Sequence, residues 1–208
     1  MEILIGDDHA IFRRGLREIL TEAIPDVVCA EAENGAEVLE QVWKKKWDLV
    51  VLDITMPGRS GLDVLKDINS AHPELPVLVL STHTEEQYAV RVLRAGAKGF
   101  INKMKAPREL VSAIQKVLQG GSYISPTVAE KLATQIRPGG ELLHHSLSDR
   151  EYQVMHMIAT GKSVKEVASE MGLSVQTVST YRVRVLKKLG MQTNAELIRY
   201  AIQNGLVD

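Results

Sequence analysis

The sequence predicts an α/β chain in which a doubly wound parallel sheet is followed by a small all-α domain. Three observations predict it. Five short apolar, β-branched runs alternate with amphipathic helical patterns through residues 1–120, the order that builds a parallel sheet with helices on both faces. Four of those runs end on groups with chemistry to offer: Asp7 and Asp8, Asp53, Ser81, and Lys103. Beyond residue 146 the strand signals stop, and hydroxyl residues with a Glu three positions on mark helix starts.

In order along the chain, Ile3-Leu4-Ile5 opens the sheet, and further strands begin near Val27, Leu49, Val77 and Gly99. Helical patterns fill 11–22, 36–45, 62–71, 85–95 and 107–119. Five strands with five helices is a flavodoxin-like count. Gly120-Gly121 ends the fifth helix, and Ser125-Pro126 starts a short one with Ser as N-cap and Pro in the first turn. That helix runs out near Arg137-Pro138-Gly139-Gly140, so Pro138–Ser146 reads as a flexible joint and His144-His145 as solvated. The expected limits are a sheet domain at 1–120, a linker with a short helix at 121–145, and a helical domain at 146–208. In the last, Ser148-x-x-Glu151, Ser163-x-x-Glu166 and Thr193-x-x-Glu196 match capping boxes, and Ser174 can cap a further helix. Four helices in so short a stretch make a compact all-α domain.

Composition narrows the function classes. Hydrophobic content of 45% and charged content of 25% are ordinary for a soluble protein. No run reaches the roughly 18 apolar residues of a membrane span, and the N-terminus lacks a secretory pattern. Cys29 is the only cysteine, so no internal disulfide forms, which fits a cytoplasmic location. The net charge of −1 hides an asymmetry: residues 146–208 hold eight Lys/Arg against six Asp/Glu, net +2, leaving −3 on the rest. Within 174–189 stand Arg182, Arg184, Lys187 and Lys188 with no acid, a pattern that points toward nucleic acid.

The strand ends carry the first chemistry. In an open parallel sheet, ligands bind beyond the C-terminal strand edge. Asp7, Asp8 and Asp53 can hold Mg²⁺, a hard cation that takes carboxylates together with phosphate oxygens. Anionic Asp53 can then attack phosphorus and form an aspartyl phosphate. Lys103 can pair with the carboxylate and afterwards with the phosphate, and Ser81 can donate to a phosphate oxygen. An Asp at a strand end is often only a turn or capping residue; the joint pattern carries the inference. His9 beside two acids does not make a zinc set and reads as a structural or surface residue.

Ile5-Gly6-Asp7-Asp8-His9, Asp53-Ile54-Thr55-Met56-Pro57-Gly58, Ser81-Thr82 and Gly96-Ala97-x-Gly99-Phe100-x-x-Lys103 resemble the receiver domain of bacterial two-component response regulators. The resemblance implies that a sensor histidine kinase phosphorylates Asp53. It implies that Asp8 and Asp53 bind Mg²⁺, assisted by Asp7 and the backbone carbonyl of Thr55. It also implies a switch pair of Ser81 and Phe100, and places Thr55 and His83 where they tune phosphoryl lifetime. Asn102 departs from the usual apolar residue at its position.

The second chemistry is a helix-turn-helix. Residues 163–171, a turn at Gly172 and residues 174–189 have its spacing. Val178, Val185, Leu186 and Leu189 fall on one side of the second helix and face the core. Gln176, Ser179, Thr180, Val183 and Lys187 form a short, acid-free face suited to base edges in the major groove, while Arg184, Lys187 and Lys188 suit phosphates. Spacing alone leaves open a helical interaction domain with a solvated basic face. Leu147-Ser148-x-Arg150-Glu151, Gly161-Lys162-Ser163-Val164-Lys165-Glu166-Val167-Ala168, Leu173-Ser174-Val175-x-Thr177-Val178 and Lys188-Leu189 resemble the LuxR-type domain of the NarL/FixJ response regulators. Tyr181 and Val164 stand where that pattern often has His and Asn. By this resemblance Ser174 and Thr177 join the DNA-contacting set.

The expected function is therefore a phosphorylation-controlled, promoter-binding transcription regulator. It is not an enzyme, binds double-stranded DNA as a homodimer, has RNA polymerase as a further partner, and makes no membrane contact. An aspartate-nucleophile phosphohydrolase is disfavoured because Thr55 stands where such enzymes carry a second acid. The alternative is an atypical regulator that works without phosphate.

Overall fold

The computed structural model describes residues 1–82, 85–126, 128–130 and 143–207. Backbone packing divides the chain into two compact units, 1–136 and 137–208.

The first unit holds β1 (Glu2–Gly6), β2 (Val28–Ala32), β3 (Leu49–Asp53), β4 (Val77–Ser81) and β5 (Gly99–Asn102). Helices α1 (Ala10–Ala23), α2 (Gly35–Lys44), α3 (Gly61–Ala71), α4 (Glu85–Arg94) and α5 (Ala106–Leu118) follow the strands in turn. The sheet is parallel throughout, in the order β2-β1-β3-β4-β5. This is the doubly wound, flavodoxin-like fold that the sequence predicts. β3 and β4 are buried along their whole length, as strands covered on both faces must be. Alternation sends Ile3, Ile5, Leu49, Val51, Leu78, Leu80 and Ile101 to one face. There they meet Leu16 and Leu20 of α1 and Leu110, Ala113, Ile114 and Val117 of α5.

Local chemistry starts the helices. Asn34 accepts the Glu37 N–H at 3.0 Å and Ser60 accepts the Asp63 N–H at 3.2 Å, each cap worth about 1 kcal/mol. Ser125 accepts the Val128 N–H, the cap expected there, and residues 126 and 128–130 are helical. Just before it, Tyr123 lies along β5: it bridges Gly99, donates to the Lys98 carbonyl at 2.9 Å and accepts from the Phe100 N–H at 3.1 Å. Tyr123 stands three residues beyond the expected sheet-domain limit at residue 120.

The second unit holds a 3₁₀ turn (Leu143–Ser146), α6 (Asp149–Ala159), α7 (Val164–Glu170), α8 (Val175–Leu189) and α9 (Asn194–Gln203). Capping boxes close at Ser148/Glu151 and Ser163/Glu166. The third expected box does not close in the same way. Thr193 accepts the Glu196 N–H, but the Glu196 carboxylate takes the Gln192 N–H, one residue ahead. His144 is a correction. It is buried, with Nδ1 3.0 Å from the Tyr200 hydroxyl and its ring tilted 6.3 Å from that of Tyr152. The 3₁₀ turn carries it inward against the aromatic residues of α6 and α9. The His145 side chain and residues 131–142, which include 138–142 of the expected joint, lie outside the described residues.

Candidate functional site

Because all five strands are parallel, their chemical ends meet on one edge. β1 and β3 are neighbours, with Gly6 in register with Leu52, so Asp7 and Asp53 leave the sheet side by side. On the other side Ser81 is in register with Asn102, one residue before Lys103. A glycine makes room for Asp53: a Cβ on Gly61 would lie 1.9 Å from the Asp53 carbonyl oxygen.

The groups predicted from sequence converge. Asp7, Asp53, Ser81 and Lys103 are buried, Asp8 is exposed and Thr55 half-buried. The Lys103 ammonium lies 2.8 Å from Asp53 Oδ2 and 2.6 Å from Asp7 Oδ2, and sits 4.8 Å from the centre of the Phe12 ring. The Thr55 N–H donates to Asp53 Oδ1 at 3.1 Å. The Lys103 N–H donates to the Ser81 carbonyl at 2.8 Å, tying hydroxyl and ammonium together. Phe100 is buried, and Asn102 accepts the Met104 N–H, a turn-forming role no apolar residue fills. His83 lies outside the described residues.

Burial pushes the Asp53 carboxyl up to about 6, against the pull of Lys103 and with the help of Asp7. Burial draws the Lys103 ammonium down, but Asp53 and Asp7 outweigh it and the net shift is upward. Oxygens of Asp7, Asp8 and Asp53 and a ring nitrogen of His9 lie within 4.8 Å of one another. Three carboxylates against one ammonium leave the pocket short of positive charge. Hard oxygen donors at this spacing fit Mg²⁺.

Sequence reasoning missed Arg13. It is buried, donates to the Asp7 carbonyl at 2.6 Å, and pairs with Glu31 and Glu33 at 3.2 and 2.7 Å. It thus fixes the backbone that carries Asp7. The available signal was a cation on the buried stripe of α1, in line with Leu16 and Leu20.

In the second unit, Gly172 makes its turn with φ 62°, and α8 buries Val178, Val185, Leu186 and Leu189 as predicted. Gln176, Thr180, Val183, Arg184 and Lys187 are exposed, as is Ser174; Thr177 and Ser179 are half-buried. Ser174 caps the helix on the Thr177 N–H at 3.0 Å. Lys188 is placed differently from a free phosphate-binding cation. Its ammonium lies 2.6 Å from buried Glu151 and donates to the Ser146 carbonyl at 3.3 Å.

Residues 3–115 match the response regulator receiver domain, and residues 145–201 match the luxR family of bacterial regulatory proteins. The chain belongs to the two-component response regulators. Its architecture is the NarL/FixJ type, a receiver followed by a LuxR-type DNA-binding domain. Response regulator UvrY of Escherichia coli K12 is 36% identical over 208 residues, spanning 99% of this chain and 95% of that protein. Transcriptional activator protein ExaE of Pseudomonas putida is 37% identical over 210 residues, spanning 100% and 98%. Among solved structures, RcsB of Salmonella enterica serovar Typhimurium, bound to promoter rprA with phosphomimetic BeF3⁻, superposes with a TM-score of 0.64. It is 27% identical, with 96% of this chain and 98% of that chain covered. No helix among the described residues of the regulator is long and apolar enough to cross a membrane.

Proposed function

We propose that Asp53 is the phosphoacceptor of this response regulator, charged by a sensor histidine kinase, and that phosphorylation controls promoter binding by the second domain. The observation that carries this reading is the buried Lys103 ammonium held between Asp53 and Asp7. At neutral pH Asp53, with its carboxyl near 6, is mostly ionised and nucleophilic. Its oxygen forms the new bond to phosphorus as the bond to the phosphohistidine nitrogen breaks. Lys103 already pairs with that carboxylate and is placed to pair with a phosphate oxygen, and the Ser81 hydroxyl supplies a second donor. Asp8, Asp53 and the Thr55 carbonyl, assisted by Asp7, would hold Mg²⁺, which supplies positive charge against the phosphoryl oxygens. Movement of Ser81 and Phe100 together is the proposed switch. Thr55 and His83 set how readily water reaches the phosphoryl group. The product is a stoichiometric adduct, not a turnover cycle.

The receiver, connecting segment and DNA-binding domain are assigned to 1–120, 121–145 and 146–208. In the last, α8 enters the major groove, with Gln176, Ser179, Thr180 and Val183 toward base edges and Arg184 and Lys187 toward phosphates. RcsB has been seen as dimers on DNA, and a homodimer on promoter DNA in the cytoplasm is the corresponding proposal here.

Incubation with a small phosphodonor and Mg²⁺, followed by intact mass and DNA-binding titration, tests the reading. The wild type gains one phosphoryl group and binds its promoter more tightly, while Asp53→Asn does neither. An adduct of equal yield on Asp53→Asn overturns the assignment.

A further inference from the structure

His9 is the residue before α1, yet its side chain makes no capping hydrogen bond to the helix. Its ring turns to the acidic pocket instead. Nδ1 lies 2.8 Å from Asp8 Oδ1 and 3.2 Å from Asp7 Oδ1. The edge between adjacent ligands of an octahedral ion is about 3.0 Å when its bonds are about 2.1 Å, and the two separations bracket that length. The whole set, with Asp53 included, spans no more than 4.8 Å, near the roughly 4.2 Å between opposite ligands of such an ion. The His9 side chain is 66% exposed, on the solvent side of buried Asp7 and Asp53.

We propose that His9 is a protein ligand of the receiver's cation site and that it tilts the site toward first-row transition dications such as Mn²⁺ and Ni²⁺. This rests on reading the acidic pocket as a cation site. Mg²⁺ takes oxygen donors and keeps its waters, so it gains little from an imidazole. Mn²⁺ and, more strongly, Ni²⁺ accept nitrogen, and affinity for a mixed nitrogen and oxygen site climbs along that series. Nδ1 is at hydrogen-bonding distance from the Asp8 and Asp7 carboxylates; an entering dication takes the place of the Nδ1 proton, and the ring keeps its remaining proton on Nε2. Arg13 does not supply the missing positive charge, because its guanidinium is spent on Glu31, Glu33 and the Asp7 carbonyl.

The test uses the full chain loaded with Mn²⁺ and read by pulsed electron paramagnetic resonance, which detects a nitrogen-14 nucleus bonded to the ion. The wild type should show imidazole nitrogen coupling, and His9→Ala and His9→Gln should both lack it. Calorimetric titration should show Ni²⁺ affinity falling at least about tenfold in these variants, Mn²⁺ falling less, and Mg²⁺ nearly unchanged. Mn²⁺ bound without nitrogen coupling in the wild type overturns the role of His9 while leaving the cation site standing. Failure of all three ions to bind the wild type overturns the site and the inference together. An equal loss for all three ions in the variants overturns the inference, because it signals a disturbed pocket and not a lost nitrogen ligand.

Discussion

Replacing Asp53 by Asn should make the receiver harder to unfold. Asp53 ionises near 3.8 in an unfolded chain and near 6 in the fold, chiefly because burial penalises its charge. Between those values the folded state binds more protons than the unfolded one, so this carboxyl makes stability fall as pH rises through the window. Above it the cost is complete: about two pKa units at about 1.36 kcal/mol each, or about 3 kcal/mol. An amide cannot ionise, so Asp53→Asn removes that cost and flattens the pH dependence between about 4 and 6. Added Mg²⁺, if held as proposed, should compensate the carboxylate in the wild type and narrow the gap. Both tryptophans, Trp43 and Trp47, lie in the first unit, so their fluorescence during denaturant unfolding of the full chain reports the receiver. In chelator at neutral pH the variant's unfolding free energy should exceed the wild type's by up to about 3 kcal/mol. Equal stabilities, or a gap that does not shrink toward low pH, would refute the reasoning.

Gly61→Ala forces a methyl group against the Asp53 backbone. It should cost roughly 1–3 kcal/mol of receiver stability and slow phosphorylation, read by unfolding and by intact mass over time; an unchanged rate would show the contact to be yielding. Glu151→Gln strips the charged partner from Lys188 and weakens the box at Ser148, so the DNA-binding domain should lose roughly 1–3 kcal/mol, measured by calorimetry. Lys187→Ala should lower the salt slope of DNA binding by roughly 0.9. Lys188→Ala should change stability more than the slope, because Glu151 already holds its charge; binding titrations across a salt series separate the two.

The strand ends were legible because hydrophobic runs are punctuated in sequence by the very residues that do chemistry. Parallel pairing then sends all such ends to one edge, so Asp7, Asp53, Ser81 and Lys103 could be placed together without coordinates. Helix starts were legible at Ser148, Ser163 and Ser174 because a hydroxyl cap acts over three residues. What stayed hidden depends on partners distant in the chain. Arg13 looks like any surface cation until Glu31, Glu33 and the Asp7 carbonyl close around it. Lys188 looks like a phosphate ligand until Glu151, 37 residues earlier, claims its ammonium. His144 looks solvated until Tyr200, 56 residues on, accepts it.

The strap made by Tyr123 along β5 bears on where this chain can be divided. An outer strand with bare N–H and carbonyl groups invites another copy to pair with it, and β5 closes one side of the sheet. Tyr123 occupies part of that ladder through Lys98 and Phe100. A fragment ending at Gly120 would strip the ladder, and its self-association would say nothing about signalling. A fragment carried through Tyr123 keeps that part of the β5 edge covered, which removes one route to pairing that the full chain does not offer.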